Sequence, residues 1–576
     1  MRSPTLLYIL LYFNLRSTIS SPSKQHNYDI LIYDASSGGI TAAVSSGLAG
    51  HKTALLCSSY PACFDIGGRR IGGLSTNGLG QTDIGITFPY IGGLALEFYQ
   101  RNRAHYGNVT TNSGAVHSSC RLPNSHCNVT FNLEPHVARQ IFHDLLTESN
   151  VDIYYNSNIL SIQKSNKRIL SITTSTNDTF SSKYFIDASY EGDLLAMSNS
   201  SYSVGREAQS KYQETLAGKR MTATSHQFRL NINPFDDNGD PLPFTTLPDP
   251  TIKVGDADSK VQSYNFRLCV TKNKSNMVPF PKPKQYNASK FLLLQRYLIA
   301  CSNDVTSSCQ LGFPSCNTAL VPNDKYDLNN CGPFSTDFIG GSWNYPNANY
   351  QERKNIWHSH YEYQAGLLYY ISHEPLVPLL YRQEMSLWGL CADEFQDNTI
   401  APHWPPSLYV RAARRLIGDH IFTQNTPQEQ KKNGSIGNLS IGIGGYNFDS
   451  HNAERMACHN KSMCDNESPS NGTGSKLSYT WNEGDIENAP GLYQIPLWVM
   501  FPKEKEVLNL LVIAAPSASH IGMSTLRMEP QFMMIGHAAG TVASLAITSQ
   551  LKQGIQHVDV NELNVLLLEQ GMILEF

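Results

Sequence analysis

A chain of 576 residues is too long for one compact core, and two or three domains are expected. Its formal net charge of −4 leaves no basic stripe to neutralise phosphates, which argues against a nucleic-acid binder. A content of 41% hydrophobic and 10% aromatic residues is that of an ordinary globular protein of enzyme size.

Met1 to Ser21 carries Arg2 near its start, an apolar core from Leu6 to Leu15 broken only by Asn14, and small residues at its end. That core is too short to span a bilayer, so residues 1–21 read as a cleaved signal peptide. Secretion predicts glycosylation and disulfides. Sequons begin at Asn108, Asn128, Asn177, Asn199, Asn273, Asn287, Asn433, Asn438, Asn460, Asn466 and Asn471. The 12 cysteines include the close pairs Cys120/Cys127 and Cys458/Cys464 and the run Cys301, Cys309, Cys316, Cys331. Without a CxxC knuckle, these spacings favour disulfide-closed loops over a structural zinc site. Cys57 and Cys269, in apolar stretches, read as buried thiols, with a Cys57–Cys63 bridge as the alternative for the first. No second apolar run is long enough for a membrane anchor, so an extracellular or secretory-lumen protein is expected.

Residues 27–58 read as strand, turn, helix and strand. Tyr28 to Tyr33 is β-branched and aromatic, Gly38 to Leu48 places small residues at helical spacing, and Thr53 to Cys57 is apolar. This is the opening βαβ unit of a dinucleotide-binding fold, where a pyrophosphate meets backbone N–H groups at a helix N-terminus. Against the G-x-G-x-x-G template its positions hold Asp34, Ser36 and Gly39, and Cys57 or Ser58 stands where an acid would bind ribose.

Gly67 to Gly85 is a glycine-rich loop suited to lying against a flat ligand or another backbone. Leu94–Tyr106 and Glu134–Thr147 predict amphipathic helices, and Gly107–Val129 between them a polar insertion. His136, at the second helix's start, has either a substrate-side or a structural role. Strands are expected at Val151–Tyr155, Ile159–Gln163 and Ile169–Thr173, the last two as a hairpin, and at Tyr184–Asp187. From Gly205 to Tyr479 the chain is rich in Pro, Asn and aromatics, as in a substrate or cap domain, with helices at Asn355–His373 and Leu408–His420. Arg411, Arg414 and Arg415 form the densest cationic cluster; they either clamp a carboxylate or sugar acid or make an ion-paired helix face. Asp449-Ser450-His451 lacks the G-x-S-x-G elbow that a triad would need. Asn460–Gly474 reads as an exposed loop. Near the end come a strand at Asn509–Ala515, a loop at Pro516–Met528 and a long helix at Pro530–Ser549 with Gly536, Ala539, Gly540 and Ala543 on one face.

GGRRIGGLSTNGLGQTDIG (67–85), NLEPHVARQIF (132–142), YFIDASYEGDLLA (184–196), VGREA (204–208), SYNFRLCVT (263–271), LYVRAARRLIGD (408–419), FDSHN (448–452) and SASHIGMSTLRMEPQFMMIGHAAGTVASLA (517–546) occur in colinear order. Together they resemble a family of FAD-dependent oxidoreductases built like the glutathione-reductase-like flavoproteins, some of them labelled xanthan-lyase-related. The resemblance implies an α/β fold: a discontinuous Rossmann-like FAD-binding domain, 27–204 and 485–560, with a large inserted α+β substrate or cap domain, 205–484. It further implies that the glycine-rich loop lies along the flavin with Arg70 at a phosphate or the ring edge. The final helix would aim its N-terminus at the flavin pyrimidine edge. The cofactor-binding set it implies is Ser36, Gly38, Gly39, Arg70, Gly72, Gly73, Asp187, Gly536 and Gly540. The family pattern has an acid where this chain has Ala412, which leaves that block's role open.

The expected activity is oxidation of a polar small molecule, sugar-like or acidic, by hydride transfer to FAD, with oxygen or another extracellular acceptor taking the electrons. His520, then His451, is the expected base; Arg527 or Arg411 would hold the substrate; no metal is expected. The alternative is a flavin-free descendant, marked by Asp34 and the absent ribose acid: a secreted binding protein or a carbohydrate-active lyase.

Overall fold

β1 (Gln25–Tyr33), α1 (Ser37–Leu48) and β2 (Thr53–Leu56) form where the apolar runs and the small-residue stretch predict them. The structure, a computed structural model, describes residues 23–58, 70–107, 129–222, 225–228, 230–304, 318–330, 332–459, 464 and 479–576. The expected leader, Cys63, Gly67, Cys120, Cys127, Cys309, Cys316, Cys331 and most of the polar stretches 107–129 and 460–474 lie outside the described residues.

Helices α2 (Gly93–Tyr106) and α3 (Pro135–Glu148) follow, the second with its proline in the first turn as expected. β3 (Asp152–Tyr154), the hairpin β4 (Ile159–Ser165) and β5 (Arg168–Thr174), and β6 (Thr179–Asp187) complete the first sheet, ordered β3-β2-β1-β6-β5-β4. β1, β2, β3 and β6 run parallel, as a doubly wound α/β sheet requires. The second half of β6 also pairs in parallel with the late strand Leu510–Val512, so both ends of the chain contribute to one sheet.

The closing helix, Glu529–Thr548, is buried over almost its whole length and packs on α1. Close approach depends on missing side chains: a Cβ on Gly536 would lie 2.0 Å from the Gly38 carbonyl oxygen, and one on Gly540 2.5 Å from that of Ala42. Between the two ends, a five-stranded antiparallel sheet is centred on Leu268–Thr271, flanked by Lys325–Leu328 and Gly389–Cys391. The helix Tyr350–His373 starts at a capping box made by Asn349 and Glu352.

Three local expectations are corrected. Leu408–His420 is extended rather than helical, with only the short strand Arg415–Leu416 inside it. Residues 404–416 are buried throughout, so the segment lacks the polar face an amphipathic helix needs, and Pro405 and Pro406 precede it. The expected loop Pro516–Met528 contains the helix His520–Leu526, capped by Ser519, whose hydroxyl accepts from the Gly522 N–H at 2.9 Å. Cys269 is not a thiol but is bonded to Cys391, joining two adjacent strands of the inserted sheet. Cys458 pairs with Cys464, in line with their spacing.

Candidate functional site

The turn between β1 and α1 adopts the geometry of a dinucleotide-binding turn with different residues. Asp34 has φ of 78°, the left-handed conformation that the template's first glycine supplies. Its carboxylate accepts from the Ala35 N–H at 3.0 Å and from the Ser58 hydroxyl, at the end of β2, at 3.3 Å. Burial first, then the neighbouring Glu191 carboxylate, raises its pKa well above the usual carboxylate range. Burial therefore favours the neutral acid, the form that sets no negative charge against a phosphate. Ser36 caps α1 by accepting from the Gly39 N–H at 3.2 Å, and its hydroxyl donates to the Ala188 carbonyl at 2.7 Å. A Cβ on Gly39 would meet the Asp34 carbonyl oxygen at 2.2 Å, so the last template position accepts only glycine. A capped helix N-terminus behind a neutral turn fits an anionic pyrophosphate. We expect Asp34→Asn, which reproduces the neutral acid's shape, to bind FAD within about twofold of the parent; a gain of about tenfold in titrated affinity would mean that the carboxyl is ionised.

The glycine-rich loop closes over this turn. The Gly72 N–H donates to the Ala35 carbonyl at 2.8 Å, and a Cβ on Gly73 would sit 3.0 Å from the Ser36 Cα. At the start of the closing helix, the buried Glu529 carboxylate accepts from the hydroxyls of Ser37, Tyr190 (2.8 Å) and Ser75 (3.3 Å). Burial, opposed by these three donors, raises its pKa to about 7. One carboxyl thus ties α1, the loop and the turn after β6 to the closing helix. Gly38, Gly536 and Gly540 serve this helix packing. Asp187 clamps the turn after β6, accepting from Ser189 N–H at 2.9 Å, its hydroxyl at 2.6 Å and Leu195 N–H at 2.7 Å. Arg70 is paired with Asp397 and lies over the Phe395 ring at 5.1 Å, so it is engaged by the inserted region.

Beyond this cradle the structure gathers a polar cluster. His451 Nδ1 is 2.7 Å from Asp337, and its Nε2 is 3.6 Å from Asp449. Arg411 holds the other Asp337 oxygen at 3.0 Å, while Arg527 donates to the Asp449 carboxylate at 2.7 Å and to the Tyr409 hydroxyl at 3.1 Å. The His226 ring stands parallel to that of His451 at 6.5 Å. Burial and Arg411 work against a charged His451, yet Asp337 and Asp449 outweigh them and its pKa is raised. Asp337 and Asp449 are both depressed despite burial, Asp337 by Arg411 and His451 and Asp449 by His451 and Arg527. Side-chain exposure separates the roles: Asp449 is 23% exposed and His451 10%, against 1% for Arg527 and 0% for Arg411.

The sequence-expected residues therefore divide. His451, Arg411 and Arg527 meet in one cluster, but both arginines grip protein carboxylates. His520 stands apart: its N–H donates to Glu207 at 2.8 Å, its ring faces the Ser450 hydroxyl at 3.4 Å, and burial pulls its pKa down to about 3. Arg415 pairs with Glu207 at 2.7 Å and Arg414 with Asp193 at 2.8 Å. Asp337 went unnoticed in the sequence because an isolated acid in a loop carries no pattern. Glu134, His136 and Glu394 also converge, but the Lys325 ammonium already lies 2.6 Å from Glu134 and 3.0 Å from Glu394.

No curated protein matches this chain. Among solved structures, similarity extends to GidA of Aquifex aeolicus (16% identity, 28% of this chain and 25% of that one, TM-score 0.18). It also reaches the anhydrotetracycline hydroxylase OxyS of Streptomyces rimosus (11%, 32% and 36%, 0.23) and the myxobacterial chondrochloren halogenase CndH (14%, 31% and 41%, 0.23). The chain spans less than half of each of these proteins. The model of the FAD dependent oxidoreductase family matches residues 29–567, and the chain belongs to that family of flavin-linked redox enzymes, with FAD as its cofactor.

Proposed function

We propose that the protein oxidises a small polar substrate, sugar-like or acidic, and that His451 takes the substrate's hydroxyl proton. The observation that carries this reading is an imidazole set between two carboxylates, Asp337 and the more exposed Asp449, each gripped from behind by an arginine. FAD, when bound, supplies the acceptor for the hydride leaving the substrate carbon. The first turn of α1, Ser36 to Gly39, and the Gly72–Gly73 loop would hold it, with the pyrophosphate on backbone N–H groups.

The protein's own part is proton handling and orientation. With Nδ1–H donated to Asp337, Nε2 of His451 is left to accept a proton, and Asp449 stabilises the imidazolium that forms. Arg411 and Arg527 fix the two carboxylates and so fix the ring. Because the pKa of His451 is raised above 6.5, the accepting form fills only as pH climbs through that raised value. Activity should rise with pH accordingly. Asp337→Asn removes a charge that favours the imidazolium, so the acid limb of kcat/KM should move to lower pH by roughly one unit while the rate falls. A limb that stays in place would remove His451 from the role.

We also propose that the protein works outside the cell or in the secretory lumen, with oxygen or another acceptor there taking the electrons. Two disulfides support this, as does the exposure of Asn177, Asn199, Asn273, Asn287, Asn433 and Asn438, all sequon asparagines. Among the described residues no helix is long and apolar enough to cross a membrane. Protein recovered from a secreting host should gain mobility after endoglycosidase treatment; an unshifted band would count against the location.

A further inference from the structure

Resting on the reading that the chain passes through the secretory lumen, we propose that the inserted region seats the first sugars of the chain's own glycan on Asn287 in a cavity of about 580 Å³. Asn287 opens the sequon Asn287-Ala288-Ser289 and lines that cavity. Its Oδ1 accepts from the Ser289 N–H at 3.0 Å and from the Ser289 hydroxyl at 2.8 Å, an Asx turn that fixes the amide. Nδ2, the atom that takes the sugar, makes no hydrogen bond among the described residues. In the transfer a lipid-linked oligosaccharide diphosphate is the donor: its C1–O bond to the diphosphate breaks, a C1–Nδ2 bond forms, and the amide gives up one proton.

The cavity suits a pyranose. Its floor is aromatic: the Phe244 ring meets Phe338 at 5.5 Å and Tyr363 at 4.9 Å, and the Phe338 and Tyr363 rings stack at 4.5 Å. Phe244 keeps a φ of 66°, left-handed backbone that an aromatic residue rarely adopts, and the protein leaves both it and Phe338 only half-buried. The C–H face of a sugar ring covers such rings and removes their apolar surface from water. The walls are polar. Lys284 and Lys290 make no ion pair among the described residues, so their ammoniums can donate to sugar hydroxyls and to the acetyl carbonyl. Glu362 accepts from the Gln285 N–H at 3.0 Å through one oxygen and has the other for a hydroxyl or the acetamido N–H. The same carboxylate opposes a free anion, whereas the bond to Asn287 raises the local concentration of its own sugar above that of any dissolved one.

The test expresses the full chain in a secreting eukaryotic host and exposes the folded protein to peptide N-glycosidase, which cuts between the first sugar and the asparagine. Mass spectrometry then follows release at each sequon. Asn273 is the internal control, because its Oδ1 makes the same turn with Ser275, at 3.1 and 2.8 Å, and it is not part of the cavity wall. Asn177, exposed between β5 and β6, is the second control. We expect the Asn287 glycan to leave the folded protein about tenfold more slowly than the control glycans, and all of them to leave the denatured protein equally fast. Phe244→Ala should raise the Asn287 rate to that of the controls, and the ratio in the parent decides even where that variant misfolds. Equal release from the folded parent, unchanged protection in a folded Phe244→Ala protein, or an empty Asn287 beside an occupied control would overturn the cavity assignment while sparing the location. Empty sequons throughout would overturn the location together with this proposal.

Discussion

His451→Gln should lower turnover by about 10²–10⁴-fold, the loss expected when a positioned proton acceptor is removed, while FAD content stays at the parent level. The ring lies outside the α1 cradle, and its contacts run to Asp337, Asp449 and the His226 ring, so the substitution leaves the helix packing untouched. Glutamine preserves a hydrogen bond to Asp337 but cannot accept a proton at neutral pH. Substrate-driven bleaching of the flavin band under anaerobic conditions reads the first half-reaction directly. Bleaching at the parent rate would show that the proton goes elsewhere. Loss of the flavin band itself would mean that His451 holds the fold.

Gly536→Ala carries the second large effect, this time on stability. The added methyl would stand 2.0 Å from the Gly38 carbonyl oxygen and 2.5 Å from the Thr41 hydroxyl, both on α1. Neither neighbour can yield, because Thr41 donates to the Met533 carbonyl at 2.8 Å and Gly38 lies beside Phe532 and Ile513. The closing helix must move off α1, at a cost of about 3 kcal/mol or more. Thermal unfolding should show a clear drop in Tm, with weaker FAD retention because the first turn of α1 shifts too. A Tm within a degree of the parent would mean that the two helices slide past each other more easily than their contact suggests.

The α/β class was legible because its elements are periodic and local. β1, α1 and β2 announce themselves within 32 residues, the β4–β5 hairpin carries alternation, and the closing helix carries small residues on one face. The failures share one cause. Leu408–His420 looks amphipathic in one dimension, but Arg411, Arg414 and Arg415 are each neutralised by an acid far away in sequence: Asp337, Asp193 and Glu207. A buried extended segment studded with paired arginines has no signature of its own. His520 and His451 look alike in sequence, each beside a serine or an acid, and only the folded surroundings separate them: burial, then Arg415, pulls the His520 pKa down to about 3, while Asp337 and Asp449 raise that of His451. Cys269 was misread because its partner, Cys391, lies 122 residues on.

The late strand Leu510–Val512 has a consequence for biosynthesis. Its docking beside β6, reinforced by the Asn509 side-chain amide donating to the Lys183 carbonyl 326 residues back, joins segments made at opposite ends of translation. Until the C-terminal segment leaves the ribosome, Phe185–Asp187, the half of β6 that β5 does not cover, stays unpaired on that side, an open template for aggregation. The nascent polypeptide carries that open half-edge while residues 188–509 are made, and a truncation before Leu510 should yield insoluble material rather than a shortened enzyme.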